Sequence, residues 1–290
     1  MKRVLILALA TVLMLAGCKK GKPETQVFSS SPVTHHPSPN THHPSPLTPH
    51  PSPNTHHPSP ITPNHRVPRG TSEIVLKKKG FTVSYNKRTK TPNWVAWTLT
   101  REHTRGQLLR DDEQFMEDTA VPEPRATSDD YYNSRYDRGH MCPAGDNKWD
   151  QQAMTESFLM TNICPQNHGL NKEDWNDLEM KCRDWARMYG EVTIVCGPLF
   201  EYDGEPKRIG KNKVEVPTGF FKVVYVPTGN GYPPKAIGFV FENNGKNQPW
   251  RQAACSIDDI EERTGIDFFR QLPDDEEDKV EAMTSTKSWK

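Results

Sequence analysis

The segment D-R-G-H-M-C-P-A-G-D at residues 137–146 carries more information than any other part of this chain. A second segment, L-N-K-E-D-W-N-D-L-E-M-K-C-R, follows it at residues 170–183. Between them they supply an imidazole, a carboxamide, a carboxylate and two guanidinium groups. Oxygen ligands of this kind suit a hard metal ion, and guanidinium groups suit a phosphate. The two segments therefore predict metal-assisted chemistry at a phosphodiester.

The second segment predicts a helix with one chemically active face. Asn171 is an N-cap-type residue followed by acidic residues, and Gly190 is a typical helix end. Glu179 lies about two turns after Asn171 and Arg183 one turn further, so the three side chains share roughly one face. The apolar stripe that faces inward comprises Trp175, Leu178, Cys182, Trp185 and Ala186.

The chemistry of these residues predicts a role for each polar group. Near neutral pH a histidine is best suited to take a proton from water, which makes His140 the candidate base. Asn171 offers a carboxamide oxygen to Mg²⁺, which prefers oxygen ligands and keeps most of its waters. Glu179 can hold a metal-bound water, and Arg183 can bind a phosphate oxygen. Gly139 indicates either a close backbone approach or a bulge.

Each of these residues also has a structural interpretation. A lone histidine such as His140 is often structural, and Asn171 can be a simple N-cap. Glu179 and Arg183 form a favourable ion pair on a helix face. Their joint occurrence with a particular set of flanking residues favours the catalytic interpretation.

The order of strands and helices predicts an α+β domain over residues 71–275, with a largely antiparallel sheet. Residues 73–85 and 93–100 are predicted to be two strands, because β-branched and aromatic residues partly alternate in them. Residues 102–134 are predicted to be a long loop. Further strands are predicted at 192–200, 220–226 and 236–241, and a short helix at 256–265.

Residues 1–18 have the pattern of a bacterial lipoprotein leader. A basic head, M-K-R, precedes an apolar run that is too short for a comfortable membrane span. The run ends in L-A-G-C at residues 15–18, which resembles a lipobox, so Cys18 is the predicted lipidation site. An ordinary signal peptide with a chance cysteine is the alternative. The expected location is a bacterial cell envelope, with an acyl anchor in a membrane, preferably the outer one, and the domain outside the cytoplasm.

Residues 19–70 repeat a Pro/Ser/His/Thr unit and predict a disordered linker, because so few large apolar residues cannot offset chain entropy. A tether is the favoured interpretation, although a histidine-rich tract can also capture metal. Residues 276–290 are predicted to be a charged tail. Eight of the eleven histidines fall in the linker: His35, His36, His42, His43, His50, His56, His57 and His65. Only His103, His140 and His168 remain as bases in the domain.

Five cysteines remain once Cys18 is set aside, and their spacing does not resemble a zinc site. For an exported protein they predict up to two disulfides. Cys142 and Cys164 each precede a proline and are the preferred pair. No pairing is assigned to Cys182, Cys196 and Cys255.

The charge of the domain is unusual for a protein that binds nucleic acid. The 37 basic and 37 acidic residues include seven basic and one acidic residue in residues 1–70, which leaves 30 basic and 36 acidic for residues 71–290. Nucleic-acid binders are usually basic. Only a local basic surface reconciles the two, and basic residues do cluster near the motif: Arg135, Arg138, Lys148, Lys181, Arg183 and Arg187.

Taken together, the motif positions resemble the DNA/RNA non-specific endonucleases of the Serratia nuclease and mitochondrial endonuclease G type, which have the ββα-metal fold. The resemblance covers nearly all of residues 71–275. It rests on D-R-G-H-M-C-P-A-G at 137–145, T-N-I-C-P-Q at 161–166 and L-N-K-E-D-W-N-D-L-E at 170–179. Supporting segments are N-W-V-A-W at 93–97, G-P-L-F-E at 197–201, E-R-T-G at 262–265 and L-P-D-D at 272–275.

The resemblance implies a role for each matching position. His140 would be the general base, and Asn171 the only direct protein ligand of Mg²⁺, for which Mn²⁺ can substitute. Glu179 would orient metal-bound waters. Arg138 and Arg183 would contact the scissile phosphate or stabilise the transition state.

Two further positions follow from the same resemblance. Asn162 falls where the family has a supporting active-site asparagine, and an additional upstream arginine is expected, with Arg110 as the nearest candidate. Two features depart from the family pattern, namely the acidic domain and the repeat-rich tether.

We therefore expect a metal-dependent endonuclease that hydrolyses DNA and RNA with little sequence preference and binds through backbone phosphates. The oligomeric state is left open, a homodimer included. One rival is an inactive descendant that only binds nucleic acid or a partner. Another is a metal-capturing lipoprotein whose working part is the histidine tract.

Overall fold

The computed structural model describes residues 65–227 and 231–289. Its strands β1 to β11 are Ile74–Lys77, Thr82–Asn86, Thr91–Thr100, Asp137–His140, Ile163–Gln166, Glu191–Leu199, Arg208–Ile209, Val214–Glu215, Gly219–Val226, Lys235–Glu242 and Ala254–Cys255. Its helices α1 to α5 are Gln151–Ser157, His168–Lys172, Asp174–Tyr189, Ile257–Thr264 and Asp274–Glu281. Short 3-10 helices lie at His103–Arg105, Ser128–Tyr131, Ala144–Asp146, Met160–Asn162 and Thr286–Ser288.

Seven strands form one antiparallel sheet in the order β1-β2-β3-β6-β9-β10-β11. Strands β4 and β5 form a separate antiparallel pair, and β7 pairs with β8. The β4–β5 pair precedes α2 and α3 along the chain. An α+β architecture with an antiparallel sheet is therefore confirmed.

Both faces of the large sheet are buried, which explains why its strands alternate only partly. In β3, Val95 and Trp97 pack in a core shared with α3, whereas Trp94 and Ala96 pack in a second core on the opposite face. Helices α4 and α5 cover that second face. Strands buried on both sides read as nearly continuous apolar runs. Each fully buried large apolar side chain stabilises the fold by roughly 1.5–3 kcal/mol.

The first predicted strand is wrong in one respect, because residues 73–85 form a hairpin and not a single strand. The chain turns at Lys78, whose N–H donates to the carbonyl of Phe81 over 2.8 Å. The three consecutive lysines before Gly80 mark this turn. Strands β1 and β2 then pair in register, with Leu76 opposite Val83.

The C-terminal residues also differ from the predicted charged tail. Helix α5 extends into this segment as far as Glu281, and Val280 enters the second core. Trp289 is only 1% exposed, and the Lys235 ammonium lies 4.3 Å from its ring centroid. Val280 and Trp289 are apolar anchors that hold the segment on the fold, while most of the acidic residues of α5 lie on its outer side.

The start of the fold lies inside the predicted linker. His65 is buried, with its ring centroid 5.2 Å from that of Trp94, and the Arg66 N–H donates to the Asp267 carbonyl over 3.2 Å. The leader 1–18 with Cys18, and the linker through residue 64, lie outside the described residues. Across the two described ranges, no helix has both the length and the apolar character needed to cross a bilayer.

The preferred disulfide is wrong, because Cys142 and Cys164 are both free and buried. Cys164 lies directly across the β4–β5 pair from Gly139, so the strand register separates it from Cys142. The thiols of Cys142 and Cys196 make hydrogen bonds instead. Asn147 Nδ2 donates to Cys142 Sγ over 3.3 Å, and Cys196 Sγ donates to the Met141 carbonyl over 3.3 Å.

Candidate active site

Strand β4 carries three motif residues that line the same cavity, namely Asp137, Arg138 and His140. Its register with β5 puts Arg138 opposite Pro165, and His140 opposite Ile163. Gly139 is required here because a Cβ atom would lie 2.2 Å from Gln166 Oε1 and 2.6 Å from Gln166 Cβ. Of the two predicted explanations for this glycine, close approach is confirmed, and the register shows no bulge.

Asn171 does not open the long helix. It lies in the last turn of α2, where Asn167 is the N-cap and accepts the Gly169 N–H over 3.0 Å. Glu173 then breaks the helix, with φ −108° and ψ −94°, and α3 begins at the next residue. The predicted single helix is therefore two helices, and the break sets the orientation of Asn171 relative to α3.

A cavity of about 510 Å³ nevertheless gathers the predicted residues. It is lined by His140, Arg138, Asn171, Glu179, Arg183 and Arg110. Arg110, the candidate upstream arginine, is among them, with its guanidinium carbon 5.6 Å from the Phe158 ring centroid. The fifth member of the predicted catalytic group, Asn162, is not in the lining.

Asn162 is buried in the protein and does not line the cavity. It is fully buried, and its side chain accepts the Cys142 N–H over 2.9 Å and donates to the carbonyls of Cys142 and Ser157. Through these bonds Asn162 holds the backbone at Cys142, two residues after His140.

His140 is held between aromatic rings. Its ring centroid lies 5.3 Å from that of Phe115 and 4.9 Å from that of Phe158. Nε2 is buried and has no hydrogen-bond partner within the described ranges. Burial, with a smaller contribution from the charge of Arg110, lowers the pKa of His140 to about 3. The imidazole is therefore neutral at physiological pH.

Asp137, to which the sequence assigned no role, orients the carboxamide. Its Oδ2 accepts from Asn171 Nδ2 over 2.9 Å, and it also lies 2.9 Å from His168 Nδ1. With the amide nitrogen engaged in this way, Asn171 Oδ1 is left to the cavity. The sequence offered one signal for this role, because Asp137 is the first residue of the motif at 137–146.

Glu179 lies between positive charges. Burial raises its pKa to about 7, and the charges of Lys222 and Arg183 act against that rise. Lys222 is fully buried, and its ammonium is 4.1 Å from the Trp175 ring centroid. Sequence reasoning missed it because it stands alone in the apolar strand F-F-K-V-V-Y-V.

Arg183 is fixed by a carboxylate that the sequence did not single out. Its Nη1 donates to Asp146 Oδ1 over 2.8 Å, while Trp97 Nε1 donates to Asp146 Oδ2 over 3.0 Å. Burial raises the pKa of Asp146, and the adjacent guanidinium opposes that effect. Arg183 is therefore paired with Asp146, and no hydrogen bond to Glu179 is found among the described side chains.

Arg138 rests on two rings, with its guanidinium carbon 5.4 Å from the Phe115 centroid and 5.8 Å from the Tyr131 centroid. Its Nη2 donates to the Ser128 carbonyl over 3.0 Å. The Arg138 guanidinium is thus held by contacts within the protein. The arrangement holds a positive charge at the cavity wall without neutralising it.

The donor set fits a hard divalent cation. A carboxamide oxygen oriented by Asp137 and the carboxylate of Glu179 are both oxygen ligands, which Mg²⁺ prefers. No cysteine lines the cavity. Asn171 would hold the ion directly, and Glu179 would bind its waters.

Comparison with known proteins identifies relatives over most of the domain. The family model described as DNA/RNA non-specific endonuclease matches residues 60–275. The mitochondrial nuclease EXOG of Xenopus laevis is 37% identical over 205 residues, covering 67% of this chain and 57% of that protein. The mitochondrial endonuclease G of Homo sapiens is 34% identical over 206 residues, covering 67% of this chain and 69% of that protein.

A solved structure has the same fold. The crystal structure of the EndoG/EndoGI complex superposes with a TM-score of 0.64 at 30% identity, covering 69% of this chain and 86% of that one. The predicted ββα-metal fold is confirmed by this match. The chain spans only 57% of the length of the Xenopus relative.

The relatives correct the predicted localisation. The sequence predicts a lipid-anchored protein of a bacterial envelope, whereas the relatives from Xenopus laevis and Homo sapiens are named as mitochondrial nucleases. The comparisons therefore point to mitochondrial nucleases rather than to an outer-membrane lipoprotein. They give no support to the lipid anchor at Cys18, which lies outside the described residues.

Proposed function

The chain belongs to the DNA/RNA non-specific endonuclease family, and from this premise we propose that it hydrolyses phosphodiester bonds of DNA and RNA with His140 as general base and one Mg²⁺ at Asn171. The observation that carries the proposal is the cavity itself. It brings a neutral imidazole, an oriented carboxamide oxygen and a carboxylate together with three guanidinium groups.

His140 removes the proton from the attacking water. Nε2 is buried without a hydrogen-bond partner among the described residues, so we assign proton removal to Nδ1. Its lowered pKa keeps it unprotonated before the reaction. A base positioned in this way contributes typically 10²–10⁴-fold to a rate.

Asn171 and Glu179 hold the cation and its waters in place. Asp137 keeps the carboxamide oxygen of Asn171 pointing into the cavity. When bound, Mg²⁺ neutralises charge on the phosphorane and stabilises the leaving oxygen. Lys222 favours the ionised form of Glu179, which is the form able to accept hydrogen bonds from those waters.

The arginines bind the phosphate. Arg183 is held by Asp146 and Arg138 rests on Phe115, so contacts within the protein already position both guanidinium groups. Arg110 on the exposed loop adds a third. These contacts are to the phosphates of the nucleic acid and do not distinguish one base from another, which agrees with low sequence preference. They also provide a local positive surface on an acidic domain.

The test is a plasmid-nicking assay in Mg²⁺ and in EDTA, on wild type and on His140→Ala. We expect nicking only with Mg²⁺ and a loss of about 10²–10⁴-fold in the variant, with plasmid binding retained. His103→Ala is the matched control, because His103 stacks on Trp149 at 4.2 Å and is not in the cavity lining. If the wild type bound plasmid without nicking it, the chain would be a binding protein and not a nuclease. Full activity of His140→Ala would exclude His140 as the general base.

A further inference from the structure

Three carboxylates meet on the face of the sheet opposite the cavity. Asp258 and Glu261 lie one turn apart on α4, and Glu281 is the last residue of α5. One ligand oxygen from each lies within 4.8 Å of the other two. Among the ion pairs formed by the described residues, none involves any of these three.

Glu281 is the anomalous member of this carboxylate cluster. It is only 6% exposed, and its Oε1 is buried without a hydrogen-bond partner in the described part of the chain. A buried carboxylate without a partner is costly, and such groups are normally paired or coordinate metals. Its place at the C-terminal end of α5 adds the unfavourable end of the helix dipole.

The surroundings of the cluster add further negative charge. Burial, followed by the charges of Glu261 and Glu277, raises the pKa of Glu281 to about 9. Burial raises the pKa of Glu261 to about 7, although the Phe268 N–H donates to its Oε1 over 2.7 Å. When ionised, these carboxylates repel one another, and no ion pair among the described residues supplies a positive charge to relieve them.

We propose that Asp258, Glu261 and Glu281 bind one hard divalent cation of the Ca²⁺ type. Ca²⁺–oxygen distances of 2.3–2.6 Å place opposite ligands up to about 5 Å apart, so a 4.8 Å spread accommodates an ion between the three oxygens. Ca²⁺ is favoured over Mg²⁺ because ligands from two separate helices suit its flexible coordination better than a strict octahedron. Asp258 is exposed, so water completes the shell on that side.

The ion would fasten α5 to α4. Val280, adjacent to Glu281, packs in the same core as Ile257 and Ile260. A cation between the helices would remove the repulsion that opposes this packing. Residue 275 is the last position of the family match, so the site depends on a residue beyond the matched region. It would stabilise the fold independently of the cleavage reaction.

Thermal unfolding of the full chain in CaCl₂, after EDTA treatment, tests the site. At a Ca²⁺ concentration about 100 times Kd we expect the wild-type Tm to rise by about 5–10 °C. Glu281→Gln keeps the shape and removes one like charge, so it folds without the ion and should lose the rise. Glu261→Gln should lose it as well.

Two controls separate this site from the cavity and from general charge effects. Asn171→Ala removes the proposed cavity ligand and should keep the Ca²⁺-dependent rise. Glu262→Gln changes an exposed acid of the same helix and should also keep it. An equal rise in Glu281→Gln would show that the ion binds elsewhere, and no rise in the wild type would show that the carboxylates are relieved by protons alone. Either result would overturn the proposal.

Discussion

At the scale of single residues, the working groups depend on neighbours that the motif did not identify. Asp137 fixes the amide of Asn171, Asp146 fixes Arg183, and Lys222 faces Glu179 from the protein interior. The sequence could place the primary groups because their spacing is distinctive. It could not place the supporting charges, because an aspartate or a lone lysine has no spacing signal of its own.

Asp137→Ala should increase the Mg²⁺ concentration needed for cleavage. The variant frees the amide of Asn171 to rotate, and loss of a residue that orients a metal ligand typically costs 10–100-fold in metal affinity. An Mg²⁺ titration of plasmid nicking measures the change, with Asp129→Ala, an exposed acid, as control. An unchanged titration with an intact Tm would exclude the orienting role.

Lys222→Met should move the acidic limb of the pH–rate profile upward. Glu179 must be ionised to hold metal-bound water, and its pKa is already raised to about 7. Removing the buried positive charge makes ionisation harder, so activity at pH 7 should fall and recover at higher pH. Single-turnover rates against pH give the limb directly.

Lys235→Met is the matched control for that experiment. Lys235 is also a strand lysine stacked on aromatic rings, at 4.1 Å from the Tyr189 centroid, but it is not in the cavity lining. Its variant should leave the profile in place. Identical profiles for Lys222→Met and wild type would mean that the buried lysine does not act on Glu179.

At the scale of elements, patterns of period and composition predicted most of the architecture. The strands at 192–200, 220–226 and 236–241 and the helix at 256–265 are confirmed within a residue or two at their ends. The helix break at Glu173 was missed because no proline or glycine marks it. Helix α5 was missed because its charge concealed the single apolar anchor, Val280.

Gly139→Ala should destabilise the β4–β5 pair. Its new Cβ would meet the Cβ and the amide of Gln166, and the fully buried Gln166 has no room to move aside. Overpacking of this kind costs about 1–3 kcal/mol. Urea unfolding measures it, with Gly245→Ala as the milder comparison, because its new Cβ would lie 3.3 Å from Asn167 Oδ1 and would require only a small shift. Equal stabilities would mean that the strand pair relaxes around the methyl group.

At the scale of the whole molecule, the chain enters the fold through a buried histidine. His65 contacts the rings of Trp94, Phe268 and Phe269, and neither of its nitrogens has a hydrogen-bond partner in the described residues. Composition placed this residue with the other histidines of the repeat tract. Only the fold distinguishes it, because its apolar partners are distant in sequence.

The stability of the whole domain should therefore depend on pH through His65. Burial lowers its pKa from 6.5 to about 3, so between these values the unfolded chain binds a proton that the folded chain does not. The contribution of His65 to stability is fully present above pH 6.5 and is lost as the pH falls toward 3. At pH 5 the loss from this residue alone is about 2 kcal/mol.

His65→Phe should reduce this acid sensitivity, because a phenyl ring suits the same aromatic contacts and carries no proton. Between pH 7.5 and pH 5, the free energy of unfolding should fall by about 2 kcal/mol less in the variant than in the wild type. Urea unfolding at both pH values measures the difference. Part of the acid loss should persist in the variant, since His140 has a similarly lowered pKa. Parallel pH dependences for the two proteins would show that residue 65 leaves the interior before it is protonated, and that the fold begins at a later residue.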